Sequence, residues 1–461
     1  MSEPTTEAAN ELVPLTDTHV VDNKDAVGAK EKVLEGVSSG LTLFSPSMWE
    51  TGVEKECVVD YQSLSGEGRR KALDFHIGAS NDLYFDFSKS TLQLSLKIMR
   101  SDGTQVDDTD LVGFINLPGH SIWRSVDVLI QNKLISSGIS VNYAYKAILD
   151  HLVSHSKEYL ESLGQTALFY KDSAHLIDQV SMVEGVGINR GFYNRAQYTS
   201  AGHTLTLEYP LAHDIATLNC YLPSGLDVKI RLWPADDDFA LHADKTMAEK
   251  YHYQVSNVLL KMRGVQPTKA MREKHEHIML QRDAVLHYTR SVIKSFTIPG
   301  SVNQWQVGQL WSGPLPYECI VCLVESDSYL GNAYTSAYNF RHYGLTQMNL
   351  YLESYQDITF RPQIDSKNWV TEYRALYEQD SAAKTHSAII DLSDWSGGYS
   401  LFRFRLSTNQ TQRKNRKKAG VGRLTLTFGT SLPHPGTLLC YSKFHDRLLL
   451  DHNSEVWLTD G

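Results

Sequence analysis

The chain has 461 residues, 42% hydrophobic and 21% charged, with a net charge of −9. Its length predicts two or three domains with substantial cores, and its acidic balance argues against a coat that wraps nucleic acid over its whole surface, which calls for a basic arm or stripe. Bulk features also argue against a membrane span, since no apolar run approaches the roughly 18 residues needed. They argue against a secretory leader, since MSEPTTEAANELVPL has neither a basic nor an apolar region, and against a disulfide framework, since the five cysteines (Cys57, Cys220, Cys319, Cys322, Cys440) are few and scattered.

In chain order, residues 1–40 form an acidic arm without a single aromatic residue. Such a segment buries too little apolar surface to offset its ordering entropy; Lys30 to Val37 has the makings of one helical turn. From Leu41 the composition changes. Leu92, Leu94, Leu96 and Ile98 alternate with polar residues, the period-two signature of a half-buried strand, and Ser101-Asp102-Gly103 supplies the turn after it. Val126, Val128 and Ile130 alternate again, and Gln131-Asn132-Lys133 reads as a tight hairpin.

Apolar residues then fall at helical spacing from Asn142 to Leu163, with Gly164 as terminator. Strands return at His203–Leu207 and at Leu226, Val228, Ile230 and Leu232. Asp236-Asp237-Asp238 reads as a solvated turn and marks the expected domain junction. Beyond it come a strand (YHYQVSNVLLKMR), a helix from Thr268 to about Leu280, and strands at SVIKSFTI, ECIVCLVE, LTQMNLYLE, SLFRFRLS, GRLTLTFG and TLLCYSKF. No helix longer than one surface turn is expected after residue 285. A dozen or more short strands with long polar loops predict an all-β chain of two similar blocks, jelly rolls rather than tight meanders.

Several motifs suggest chemistry and are better read as structure. Cys319-Ile320-Val321-Cys322 lacks the second ligand pair of a zinc ribbon, and in a strand positions i and i+3 face opposite sides. His275-Glu276-His277 sits in a helix, where i and i+2 diverge, without the HExxH spacing. Gly185 to Gly191 has the wrong glycine spacing for a phosphate loop and no βαβ unit around it. The densest basic run, Arg413, Lys414, Arg416, Lys417 and Lys418, lies between SLFRFRLS and GRLTLTFG and is expected at a hairpin tip, either solvated or touching a polyanion or acidic partner. No spacing dictates a catalytic, cofactor-binding or metal site, so the chain is expected not to be an enzyme.

The stretch SAYNFRHYGLTQMNLYLES (Ser336–Ser354) combines an aromatic, polar-tipped half that fits a loop docked between two sheets or an interface edge with a strand whose core face is Met348, Leu350 and Leu352. Its NFRHYGL resembles a motif of the double jelly-roll, hexon-like major capsid proteins of the adenovirus-type lineage, as found in adintoviruses and Polinton/Maverick-like elements. Five other segments resemble that family in the same order: LYFDFSKSTLQLSLKIMRSDGT, INLPGHSIWRSVDVLIQNKLIS, YAYKAILDHLVSHSKE, YLPSGLDVKIRLWPADDDFAL and SVIKSFTIPG. The resemblance covers roughly residues 41–455; the acidic arm and the basic loop near 409–419 match no part of it.

The resemblance implies two eight-stranded antiparallel jelly rolls side by side, residues 41–245 and 246–461 after the arm, with short helices in the connections. It implies a homotrimer with a pseudo-hexameric outline that tiles an icosahedral shell around a DNA genome, penton and minor capsid proteins as partners, and a place in the virion after assembly inside the host cell. Two other readings stand beside it. With 24 tyrosines and 8 tryptophans the chain could be a jelly-roll carbohydrate-binding protein or glycosidase, the latter needing two carboxylates about 5 Å apart if retaining. It could also be a host protein domesticated from an integrated element.

Overall fold

A computed structural model describes residues 52–65, 68, 70–79, 82–135, 143–247, 250–353, 357–378, 387–406 and 419–459. The alternating segments become strands whose pairing order occurs twice. The first set is β1 (Val53–Gln62), β2 (Leu73–Ile77), β3 (Tyr84–Arg100), β4 (Trp123–Ile130), β5 (Lys133–Leu134), β6 (Leu205–Pro210), β7 (Val228–Pro234) and β8 (Tyr251–Pro267). The second is β9 (Ala284–Ile298), β10 (Gln304–Pro314), β11 (Glu318–Glu325), β12 (Leu345–Leu352), β13 (Ile358–Phe360), β14 (Phe402–Arg405), β15 (Ala419–Phe428) and β16 (Gly436–Leu450).

The first eight form antiparallel sheets β1-β8-β3-β6 and β2-β7-β4-β5; the second eight form β9-β16-β11-β14 and β10-β15-β12-β13. Both sets pair strand one with eight, two with seven, three with six and four with five, as a long hairpin does when rolled into two facing sheets. That is the jelly roll, and it occurs twice. A short pair, Val112–Phe114 with Leu241–Ala243, and a last strand, Val456–Thr459 beside β16, lie outside this scheme.

Two expectations change here. Residues 251–267, assigned above to the second block, form β8, which pairs with both β1 and β3. Strand membership changes between Pro267 and Ala284, where helix α2 runs (Lys269–Met279). The acidic triplet that suggested an earlier junction is solvated only in part: Asp236 and Asp238 are exposed, but Asp237 is buried, pairs with Arg70 and accepts from the Tyr253 amide.

Local rules explain most elements. Gln131 and Asn132 both take positive φ (49° and 60°), the two-residue turn that matches strand twist, so β4 folds directly onto β5. Gly103 (φ 87°) completes its turn while the Asp102 carboxylate accepts the Thr104 amide at 2.8 Å. β11 is apolar on both faces and buried along Glu318–Val324, as a central strand between β16 and β14 should be.

The helix expected over 142–163 is shorter. Helix α1 spans Tyr143–Ser154, then stops because Ser156 caps a new turn, its Oγ accepting from the Tyr159 amide. Helix α2 appears where expected and buries none of its residues. Several short helices were not expected, among them Arg190–Ala196 and α3 (Val370–Tyr377), which is longer than the one surface turn expected after residue 285 and is anchored by Trp369, Tyr373 and Tyr377, whose ring N–H and hydroxyls donate to the carbonyls of Leu392, Ile390 and Leu152.

Candidate functional site: the seam between the sandwiches

From Thr51 onward the chain forms one compact unit, and a single hydrophobic cluster runs through both sandwiches. What joins them is the feature with the most concentrated polar chemistry, and it is built largely on α1. Helical spacing turns Tyr145, Ile148, Leu149 and Leu152 to the core and brings Lys146 and Asp150 together at i, i+4.

Asp150 is the hub. Lys146 Nζ lies 3.2 Å from it and Lys443 Nζ, on β16, 2.9 Å, while the Tyr441 hydroxyl donates to its carboxylate at 2.8 Å. Lys443 also approaches Glu318 at 3.6 Å, and Glu318 holds Arg403 at 2.8 Å with both side chains buried. The result is a chain of alternating charge across the seam. Burial alone would raise the Asp150 pKa; the ammonium groups of Lys443 and Lys146 and the Tyr441 hydroxyl outweigh it and hold the carboxyl well below the usual range. Burial would lower the Lys443 pKa, and Asp150 and Glu318 reverse that. Buried ions are tolerable when each has such partners.

Along the same seam, residues 214–219 run beside the outer edge of β9. The Asp214 carboxylate accepts from the Ser291 amide at 2.8 Å, the Thr217 hydroxyl from the Thr289 amide at 2.7 Å, and the Asn219 amide donates to the His287 carbonyl at 3.2 Å. A sheet edge that would otherwise invite pairing is thereby covered from within the chain.

The aromatic half of Ser336–Ser354 packs against α1 and the short helix Asp237–Ala240. Tyr338 packs edge-on against Tyr145 (centroids 5.8 Å apart) and Phe239 (6.3 Å), and its hydroxyl donates to the Ala144 carbonyl. Asn339 and Arg341 bind Asp178, which also accepts the Ser336 amide. The following strand buries Met348, Leu350 and Leu352, the face expected of it.

The other motifs take structural places. Cys319 and Cys322 are fully buried in β11, and Cys319 Sγ meets Cys440 Sγ of β16, not Cys322, at 3.1 Å as free thiols. His275 stacks on Tyr84 at 5.8 Å and its Nδ1 lies 3.0 Å from the Tyr84 hydroxyl, while His277 reaches Gln281. Among the described residues no three His, Cys, Asp or Glu side chains gather as a metal site would need. Gly191 approaches the Lys171 backbone so closely that no side chain fits, and Asn189 caps the turn beside it. Arg413, Lys414, Arg416, Lys417 and Lys418 lie outside the described residues, as does the 1–40 arm. The described strands that flank the basic run belong to different sheets, β14 beside β11 and β15 between β10 and β12.

One group was missed in the sequence: His151, His155 and Tyr159 stack in series (4.7 and 4.8 Å between neighbouring centroids), and His120 meets His151 at a tilt (5.3 Å), beside α1. Burial lowers the pKa of all three histidines, that of His151 to about 4, and the nearby Lys146 adds to it. The i, i+4 pair His151/His155 was the available signal.

No protein-family model matches the chain. It is 23% identical over 399 residues to the uncharacterized Caenorhabditis elegans protein F54H12.2, covering 82% of this chain and 91% of that one. Among solved structures it is similar to a chain of the Sputnik virophage (TM-score 0.61, 12% identity, 93% of both chains covered). It is also similar to the Faustovirus major capsid protein (0.53, 9%, covering 88% of this chain and 92% of that one) and to the mavirus major capsid protein (0.50, 10%, 96% and 97%). The narrower likeness to adintoviruses and Polinton/Maverick-like elements rests on the sequence motifs. With its strand order repeated twice along nearly the whole length of these structures, the chain has the double jelly-roll fold of viral major capsid proteins.

Proposed function

We propose that this protein is a major capsid protein: it trimerises into pseudo-hexameric capsomers that tile an icosahedral shell around a DNA genome. The observation that carries the reading is the duplicated strand order fixed into one compact unit by the Asp150 seam. A rigid pair of like sandwiches in one chain gives a trimer six similar flanks, and closed threefold symmetry then packs it among six neighbours. Obligate contacts of this kind bury on the order of 2,000 Å² or more.

The division that fits the pairing is 53–267 for the first sandwich and 284–459 for the second, with α2 as connector. The protein's work is geometric, not catalytic, and its place is the virion shell after assembly inside the host cell. Penton and minor capsid proteins are its expected partners besides itself. Arg413, Lys414, Arg416, Lys417 and Lys418 are assigned to contact with a minor protein or the packaged genome, on charge alone.

Negative-stain microscopy of the expressed full chain tests this reading. Trimers with hexagonal outline, or shells, are expected; a monodisperse monomer at assembly concentrations would overturn it. Charge reversal across the basic run is expected to leave trimers intact and impair packaging or shell closure, and particles of normal composition from that variant would remove the assignment.

A further inference from the structure

A cleft of about 800 Å³ opens beside the docked Tyr338–Tyr343 loop, lined by segments from both sandwiches: residues 175–180, 243–245, 334–343 and 396–398. We infer that this cleft binds a neutral saccharide of two or three rings, a recognition site carried on the coat in addition to its assembly surfaces. The volume falls within the roughly 300–1,000 Å³ of small-molecule sites. Two residues of its wall hold left-handed backbone without being glycine, His175 (φ 65°) and Tyr343 (φ 49°). Such conformations persist where surrounding structure enforces them and cluster at ligand clamps.

The chemistry of the lining selects the ligand class. The charged side chains of the wall are of both signs: Arg341 pairs with Asp178 and approaches Glu325 at 3.8 Å, and Lys245 and Asp244 also line it. No unbalanced field marks the site for an anion or a cation. What remains is a mixture of hydrogen-bonding groups. His342 Nδ1 accepts from the Gly344 amide, which leaves its Nε2–H as a donor. Asn339 spends its amide N–H on Asp178 and keeps its carbonyl oxygen.

Tyr334, 38% exposed, offers a ring for the apolar face of a sugar. Vicinal hydroxyls are both donors and acceptors, so they match this set better than a carboxylate or an ammonium would.

The test uses the purified full chain in its native oligomeric state on a glycan array containing neutral oligosaccharides and their sialylated and sulfated counterparts. Saturation-transfer NMR on the best neutral hit follows. Neutral glycans are expected to bind, Tyr334→Ala to weaken binding about tenfold or more, and Tyr334→Phe to retain it, with the fold of each variant checked by its melting temperature. Binding confined to acidic glycans, no glycan binding at all, or binding indifferent to Tyr334→Ala would each overturn the inference. Each readout is independent of whether shells form.

Discussion

Replacing Asp150 by Asn removes one charge from the centre of the seam and leaves Lys146 and Lys443 without their shared partner. Asn keeps the volume and can still accept from Tyr441, so the change isolates charge. Breaking a buried ion pair by neutralising one member costs about 3–5 kcal/mol, because the remaining charge stays desolvated. Glu318 still lies 3.6 Å from Lys443, and Asp214 3.7 Å from Lys146, which places the expected cost toward the lower end. At about 2 cal/mol/K per residue of unfolding entropy over roughly 400 residues, 3–5 kcal/mol corresponds to a Tm lower by about 4–6 °C.

Differential scanning calorimetry of wild type and variant measures the shift, and hydrogen exchange should show the amides of α1 losing protection first. The double variant Asp150→Leu with Lys443→Met replaces both ions by apolar groups and is expected to recover most of the loss. A Tm change under 1 °C for Asp150→Asn, or a double variant as unstable as the sum of its singles, would refute the claim that this carboxylate locks the two sandwiches.

The other expectations concern pH and packing. His120 and His151 are buried neutral, His155 is half-buried with its pKa lowered too, and His213 is buried with its pKa lowered to about 3. The unfolded chain takes up protons near pH 6.5 while the fold resists. Stability is therefore full above that pH and falls progressively toward about pH 4, by about 3 kcal/mol for His151 alone; acid-unfolding midpoints should move down in His151→Phe. Leu350→Ala deletes a fully buried side chain of β12 and should cost about 2–5 kcal/mol in denaturant unfolding. Gly422→Ala places a Cβ against the Trp311 ring, which its Nε1–H bond to Ser442 holds in place; about 1–3 kcal/mol is expected, and a neutral effect by the same measurement would show that the ring can move.

What the sequence determined by itself was local. Alternation specified β3, β4, β7 and β12 with their buried faces, because a strand's period of two is written directly in its residues. The Gln131-Asn132 turn was legible because left-handed backbone selects few residue types. Helix α3 was missed although Trp369, Tyr373 and Tyr377 stand at four-residue spacing: eight residues are too few for periodicity to outweigh aromatic strand propensity.

The tertiary structure alone decided which strands are neighbours. β8 follows an acidic stretch that looks like a junction, yet it closes the first sandwich, since pairing is set by partners nearly 200 residues earlier in the chain. The seam was invisible for the same reason. Lys146 and Asp150 look like an ordinary solvated helix pair until β16 brings Lys443 and Tyr441 against them, and desolvation turns a weak surface contact into a structural lock.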